Sequence, residues 1–361
     1  MVNDLFQKAE ELREDSEYHK ALLLYRRALR IARKNGERED VLACLLSLGD
    51  TSRMTGDFEK AERAYREAVS LSRRKKTRAA HADALVGLGL SVRALGNWKE
   101  ALGLFAQAKA IYEHQSDKDG IAFVLWAEGG AFRVGGDTRR AIDSFEKAER
   151  LFESFRDDEH LTAIGYCLCG LGGVSRVSGL WEDSLVYYRE ANRLLSSLHD
   201  RFGIAYSHCG IGNALRMKAD YAGAMKHLKR AEKEYKIIGD VVSYSYTLWS
   251  MGMTHMMKGR LKKAGECFEM AAERFRKTKD KRGLIYSWLG MGQVSFMKGD
   301  RAGAERIFRK SYKESSNRGF MIEACHSGAL LNFVSNGRNA GEGYKEIDSA
   351  LKFNPIPFNV P

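Results

Sequence analysis

The sequence predicts an all-α fold, a solenoid of antiparallel helix pairs over residues 1–353 followed by an extended tail over 354–361. Three observations predict it. Glycine recurs at 56, 96, 136, 179, 259 and 299, with Ser16 and Ala219 at the matching places, so the chain repeats in steps of 40 residues with one of 43. Small and large side chains recur at helical intervals around each of these positions. No proline occurs before Pro355, so nothing breaks the helical pattern along the array. Units of this kind bury their apolar faces only by stacking on one another, so the 361 residues read as one continuous array instead of two or three domains.

The first helix of each unit ends at the turn glycine. Seven residues before the turn stands Gly49, Gly89, Gly129, Gly172, Gly212, Gly252 or Gly292, where two helices need close backbone approach. The second helix begins beside Tyr18, Phe58, Trp98, Trp181 or Tyr221. It carries a small residue five after the turn (Ala61, Ala101, Ala141, Ser184, Ala224, Ala264) and a large one nine after it (Tyr65, Phe105, Phe145, Tyr188, Leu228, Phe268). Such alternation lets the two helices interlock. A ninth, atypical stretch, "GFMIEACHSGALLNFVSNGRNAGEGYKEIDSALKF", reads as a terminal cap and brings the expected total to nine helix pairs.

The segments "LVGLGLSVRALGNWKEALGLFAQA" and "WLGMGQVSFMKGDRAGAERIFRKS" carry almost whole the pattern W-x-x-L-G before the turn and A-x-x-x-F-x-x-A after it. On these residues the chain resembles the tetratricopeptide repeat family from residue 2 to about 353. Its unit of about 40 residues exceeds the usual length of about 34 and lacks the usual closing proline. It is therefore similar to the long-unit branch that includes Pins/LGN adaptors, kinesin light chains and Rap-type regulators. The resemblance implies a right-handed superhelix whose first helices line a concave, peptide- or protein-binding groove.

Several other function classes are disfavoured. The pairs Gly87/Gly89, Gly170/Gly172, Gly210/Gly212 and Gly290/Gly292 match G-x-G but fall inside first helices, without the preceding strand that a phosphate-cradling loop needs. The six cysteines lie within helical patterns and form no C-x-x-C pair, so they read as buried thiols. Met251, Met253, Met256 and Met257 beside His255 read as adaptable apolar lining instead of a soft-metal site. No nucleophile, base and orienting group can be assembled from the scattered histidines, so neither an enzymatic activity nor a cofactor or metal is expected. Nothing approaches the roughly 18 apolar residues of a membrane span, and "MVNDLFQKAEELRED" lacks a signal-peptide pattern, so a cytoplasmic protein is expected. A net charge of +12 and the run "RRKKTR" at 73–78 favour acidic partners, but without a groove-reading motif nucleic acid is disfavoured.

The face of the first helices not used for packing carries the candidate site. Three residues before the turn stand Arg13, Arg53, Arg93, Arg133, Arg176 and Arg216, followed by Met256 and Phe296. Six before it are Gly130, Gly173, Asn213, Met253 and Gln293, whose small early members would leave room for a ligand backbone. Ten and thirteen before it come Phe123 and Trp126, then Tyr166, Tyr206, Tyr246 with Trp249, and Tyr286. Two readings of the arginine row stand side by side. Arginine near a helix C-terminus complements the macrodipole or pairs with a neighbouring acid; guanidinium also binds carboxylate or phosphate through two parallel hydrogen bonds, which lysine cannot do.

The expected function is a non-enzymatic scaffold or adaptor. Its ligand-binding residues are Arg53, Arg93, Arg133, Arg176, Arg216, Phe123, Trp126, Tyr166, Tyr206, Asn213, Tyr246, Trp249, Met253, Tyr286, Gln293 and Phe296, and its partner a protein or peptide with acidic and apolar residues. The alternative is a regulator or sensor acting with nucleic-acid-bound or signalling partners. All three prolines fall in the tail "FNPIPFNVP", whose Phe353, Ile356, Phe358 and Val360 suit a covered segment better than a solvated one. The tail is thus a further candidate occupant of the apolar end of the groove, in its own chain or in a neighbouring one.

Overall fold

The structure, a computed structural model, describes residues 2–361 except 16, 74–77, 156, 338–340 and 348. Ser16 and most of the basic run at 73–78 lie outside the described residues. All regular structure among the described residues is helical. Eight pairs succeed one another: α1 (Val2–Glu14) and α2 (Tyr18–Asn35), α3 (Arg38–Met54) and α4 (Phe58–Leu71), α5 (Arg78–Ala94) and α6 (Trp98–Gln115), α7 (Lys118–Gly135) and α8 (Thr138–Glu153), α9 (Asp158–Val177) and α10 (Trp181–Ser197), α11 (Arg201–Met217) and α12 (Tyr221–Ile238), α13 (Val241–Met257) and α14 (Leu261–Lys277), α15 (Lys281–Met297) and α16 (Arg301–Arg318). A single helix α17 (Met321–Asn336) follows, and where its mate would come there is a 3-10 helix, Gly341–Ile347.

A two-residue device ends one helix and starts the next. The turn glycines take left-handed backbone, as at Gly136 with φ 84°, and at four of the turns an aspartate follows and caps the second helix. Asp57, Asp137, Asp220 and Asp300 each accept a hydrogen bond from the backbone N–H three residues on, which satisfies a donor the helix cannot use internally. Ala219 adopts φ 68° in the place of the glycine, a conformation that costs an L-residue about 1–2 kcal/mol.

Aromatic rings set the distance between units. A Cβ at Gly172 would lie 2.8 Å from Tyr188 Cδ2, and one at Gly210 only 2.3 Å from Tyr188 Cδ1. The ring of α10 is therefore wedged between the first helix of its own unit and that of the next. Tyr65 sits in the same way between Gly49 and Gly87, Phe145 between Gly129 and Gly170, and Phe268 between Gly252 and Gly290. This is the physical reason for the G-x-G spacing: one glycine receives the large side chain of its own unit, a ring except for Leu228 at Gly212, and the other the ring of the unit before.

The odd-numbered helices form the inner layer, since each packs on the next odd-numbered helix as well as on its mates. The array then turns far enough to meet itself. Trp98 Nε1 donates to Gly319 O at 3.0 Å, Ala350 N donates to Ser178 O at 3.0 Å, and Lys279 pairs with Glu59 at 2.5 Å. Helix α17 packs on α7, and Val134 and Val177 share one core with residues 248–360. The groove expected from sequence is thus closed along part of its length into a lumen.

The segment after the 3-10 helix packs against α11, α15 and α17. Phe353, Phe358 and Val360 are buried, with the Phe358 ring 5.0 Å from Phe353 and 5.9 Å from His326. Its backbone is held by side chains of the inner layer: Phe358 N donates to Gln293 Oε1 at 2.6 Å, and Arg216 Nη2 donates to Val360 O at 2.8 Å. Asn359 is gripped from both ends, its Nδ2 donating to Arg216 O at 3.0 Å and its Oδ1 accepting from Arg216 Nη1.

The wedged ring gives a paired test. Gly210→Ala should destabilise the chain by about 1–3 kcal/mol, because Tyr188 cannot retreat from Gly172. Gly265→Ala, mid-helix in α14 with nothing within 4 Å of the added Cβ, should stabilise it by about 0.5–1 kcal/mol. Denaturant melts of both variants check this, and equal effects would refute the wedge.

Candidate functional site: an arginine-lined lumen

The row of arginines is divided by its acids. In the first two units the position six before the turn is Glu10 or Asp50, and it takes up the arginine three residues on: Arg13 Nε to Glu10 Oε2 is 3.0 Å, and Arg53 to Asp50 is 3.5 Å. The same acids accept the hydroxyls of Tyr25 and Tyr65 at 2.6 Å. From the third unit on that position is Leu90, Gly130, Gly173 and Asn213, and the acid is gone. Arg93, Arg133, Arg176 and Arg216 have no carboxylate partner among the described residues.

The glycines at this position, expected from sequence to leave room for a ligand backbone, are in contact with arginines, while Gly130 also lines the larger of the two cavities described below. Each is covered by the arginine of the preceding unit. A Cβ at Gly130 would lie 2.1 Å from Arg93 Nη1, and one at Gly173 3.2 Å from Arg133 Nη1. Arg93 Nη1 also donates to Ala127 O at 3.2 Å, so its guanidinium lies flat on the next first helix. Absence of a side chain is what admits the large cation.

The result is a column of positive charge in a poorly solvated place. Burial and then the guanidiniums of Arg133 and Arg53 push the pKa of Arg93 down to about 9; burial and then Arg176 do the same to Arg216, also to about 9. Both remain charged near neutrality. Arg216 spreads its load over Asn213 Oδ1 at 3.1 Å, Val360 O and the Trp249 ring at 5.6 Å. Nε of Arg216 is nonetheless buried with no hydrogen-bond partner, as are Nε of Arg53, Nε of Arg133 and both Nε and Nη1 of Arg176. A buried, uncompensated cation is costly to maintain.

Two cavities adjoin these arginines. One of about 460 Å³ lies toward the N-terminal half and is lined by Arg53, Arg93 and Arg133 together with Phe123, Trp126, Tyr166 and Tyr206. Phe123 stacks on Trp126 at 5.6 Å, and Tyr166 is anchored by its hydroxyl, which donates to Asp200 at 2.6 Å. The other, of about 240 Å³, is lined by Arg133, Arg176, Tyr206, Asn213, Tyr246, Trp249 and Tyr286, and by Tyr188, Arg282 and Pro361. Arg216 and Gln293 instead hold residues 358–360. Met253 is fully buried in the C-terminal core and Phe296 packs on Phe333 at 5.9 Å, so neither reaches either cavity.

Sequence reasoning missed Arg282 and His326. Arg282 lies near the start of α15 and pairs at 2.6 Å with the buried Glu323, 41 residues away, so no repeat position marks it. His326 is fully buried; its Nδ1 contacts Tyr344 Oη at 2.8 Å, and the Phe358 and Tyr286 rings flank it. Among the described residues no three His, Cys, Asp or Glu side chains gather as a metal site, and no helix is long and apolar enough to cross a membrane.

Comparison with known proteins agrees with this architecture. The family model described as Tetratricopeptide repeat matches residues 4–74 and 81–154. No curated protein sequence matches the chain. Among solved structures, a Rap protein complexed with Competence and Sporulation Factor is 13% identical with a TM-score of 0.62, over 96% of this chain and 99% of that one. Aspartyl phosphate phosphatase F from Bacillus subtilis is 13% identical with a TM-score of 0.54, over 96% and 93%. The apo form of the quorum sensor NprR from B. thuringiensis is 14% identical with a TM-score of 0.51, over 91% and 99%. At these identities the likeness is one of fold.

The His326 site makes stability depend on pH. Burial, then Arg176 and Arg282, hold its pKa down to about 3 against an ordinary 6.5. Between those values the unfolded chain binds a proton that the folded chain refuses, so stability is lost as pH falls below 6.5. Melts over this range should show a smaller loss for His326→Phe than for the wild type. Identical pH dependence would remove His326 from the account.

Proposed function

We propose that this chain, a tetratricopeptide repeat protein, is a non-enzymatic binding scaffold whose lumen captures a peptide or protein segment bearing acidic groups beside apolar anchors. The observation that carries this reading is the set of arginines from Arg93 to Arg216 that lack an acidic partner beside an aromatic-lined cavity. A carboxylate entering there would gain two parallel hydrogen bonds per guanidinium and relieve the repulsion between neighbouring cations. Phe123, Trp126, Tyr166 and Phe202 offer the adjoining apolar surface.

Residues 353–361 suggest how a backbone would be held. Gln293 and Arg216 bond to main-chain atoms of Phe358 and Val360, contacts that are indifferent to side-chain identity, while buried Phe353 and Phe358 supply the anchors. The chain's own tail thus acts as a resident occupant that an external segment displaces from the C-terminal end of the lumen. A second reading makes the captured segment an input to a regulator or sensor acting with signalling or nucleic-acid-bound partners. In its favour stand the fold likeness to a Rap protein complexed with Competence and Sporulation Factor and to a quorum sensor.

Selection of a random displayed peptide library on the intact chain tests the proposal. Selected peptides should be enriched in Asp or Glu next to Phe, Trp or Leu. Arg133→Gln together with Arg176→Gln should weaken them at least about tenfold, since each charge-assisted contact contributes on the order of 1.5–3 kcal/mol. Ending the chain after Phe353 should tighten them. Peptides without acidic bias, or bound equally by the double variant, would contradict the reading.

A further inference from the structure

The smaller cavity has the properties of a site for a compact ligand in its own right. It encloses about 240 Å³, below the roughly 300–1,000 Å³ that hold drug-sized molecules, and Pro361 forms part of its wall. That excludes a nucleotide and leaves little room for a peptide chain beside the segment already there. Its charge is one-sided. Arg133, Arg176 and Arg282 all line it, and no acidic side chain does, the terminal carboxyl group of Pro361 being the one acidic group on its wall. Glu323 offsets Arg282 at 2.6 Å, which leaves the guanidiniums of Arg133 and Arg176 facing the space without a side-chain counter-ion, two positive charges against at most the one negative charge of the terminal carboxylate.

The donors are also unspent. Nε of Arg133 and both Nε and Nη1 of Arg176 are buried and make no hydrogen bond; Arg53 and Arg216 also leave Nε unpaired, but they, like Arg93 and Arg282, reach an acid or a carbonyl through another nitrogen. Guanidinium presents its N–H groups in a planar fork that fits two oxygens of a carboxylate or phosphate. Two such forks at one small cavity match an ion with at least two negative charges spread over several oxygens. The effect of Arg176 is felt around the cavity, where it adds to burial in holding down the pKa values of Arg216 and His326.

We propose that the cavity between Arg133, Arg176 and Arg282 binds a small multivalent oxyanion: inorganic phosphate, a small phosphate monoester, or a di- or tricarboxylate. This does not require that any protein segment enters the larger cavity. The anion neutralises the centre of the arginine column and makes the chain responsive to a small molecule as well as to a partner.

Isothermal titration of the full chain with inorganic phosphate, and separately with citrate, is the test, in chloride buffer of matched ionic strength at millimolar ligand, where general salting effects are small. At least one of the two should bind saturably, and the tighter one identifies phosphate or carboxylate chemistry. Arg176→Gln should weaken it at least tenfold, whereas Arg309→Gln, which removes an exposed ion pair with Glu305 at 2.7 Å, should leave it unchanged. Should Arg176→Gln not fold, Arg176→Lys, which keeps the charge and loses the fork, should weaken binding in the same direction. Heats that match chloride for both ligands, or binding unaltered in the Arg176 variants, would overturn the site. Saturable phosphate or citrate binding alongside a failed peptide selection would sink the segment-capture reading and leave this one standing.

Discussion

A ring wedged between two glycines is the contact on which the superhelix depends. Tyr188 presses on Gly172 of its own unit and on Gly210 of the next, and Tyr65, Phe145 and Phe268 do the same. Because the added Cβ distances fall near or below 3 Å, the first helices can approach one another no further and, with the ring in place, have no reason to separate. Repeating one fixed step along the chain accumulates rotation until the C-terminal units return to the turns of the second to fifth. Trp98 on Gly319, and Ala350 on Ser178, are the consequence. Close packing of rings therefore decides that the inner face becomes a lumen.

Closure changes what the arginines are. On an open, solvated groove a row of guanidiniums would be screened and cheap to keep. Enclosed, Arg93 and Arg216 are held with pKa values near 9 by burial and by each other's neighbours. The first two units neutralise their own arginines with Glu10 and Asp50, so the fold has a ready means of cancelling this charge and stops using it after the second unit. The glycines that replace the acids let each guanidinium lie on the next helix. Local packing and the functional electrostatics are thus set by one position, six residues before the turn.

Much of this was legible beforehand. Turn glycines and the small and large packing residues report local geometry, and local geometry repeats where the sequence repeats. The glycine pairs were correctly set aside as packing, although the ring that needs them is visible only once neighbouring units are placed together. Glu10 and Asp50 stood in plain view at the repeat position of Gly130 and Gly173, and aligning that column would have divided the arginine row from sequence alone. Closure of the array was not legible, because it follows from small rotations summed over units. Arg282 with Glu323, and Arg216 with Asn359, join residues 41 and 143 apart and obey no repeat.

The central claim is that the arginines beyond the second unit are kept against the interest of folding. Thermal stability of charge-removing variants at low ionic strength tests it most directly. Arg53→Gln breaks the contact to Asp50 and should lower the melting temperature, whereas Arg133→Gln and Arg176→Gln remove half-buried cations that have no carboxylate partner and should leave it unchanged or raise it. A comparable loss of stability in all three variants would mean that the whole row is structural, and would contradict the account.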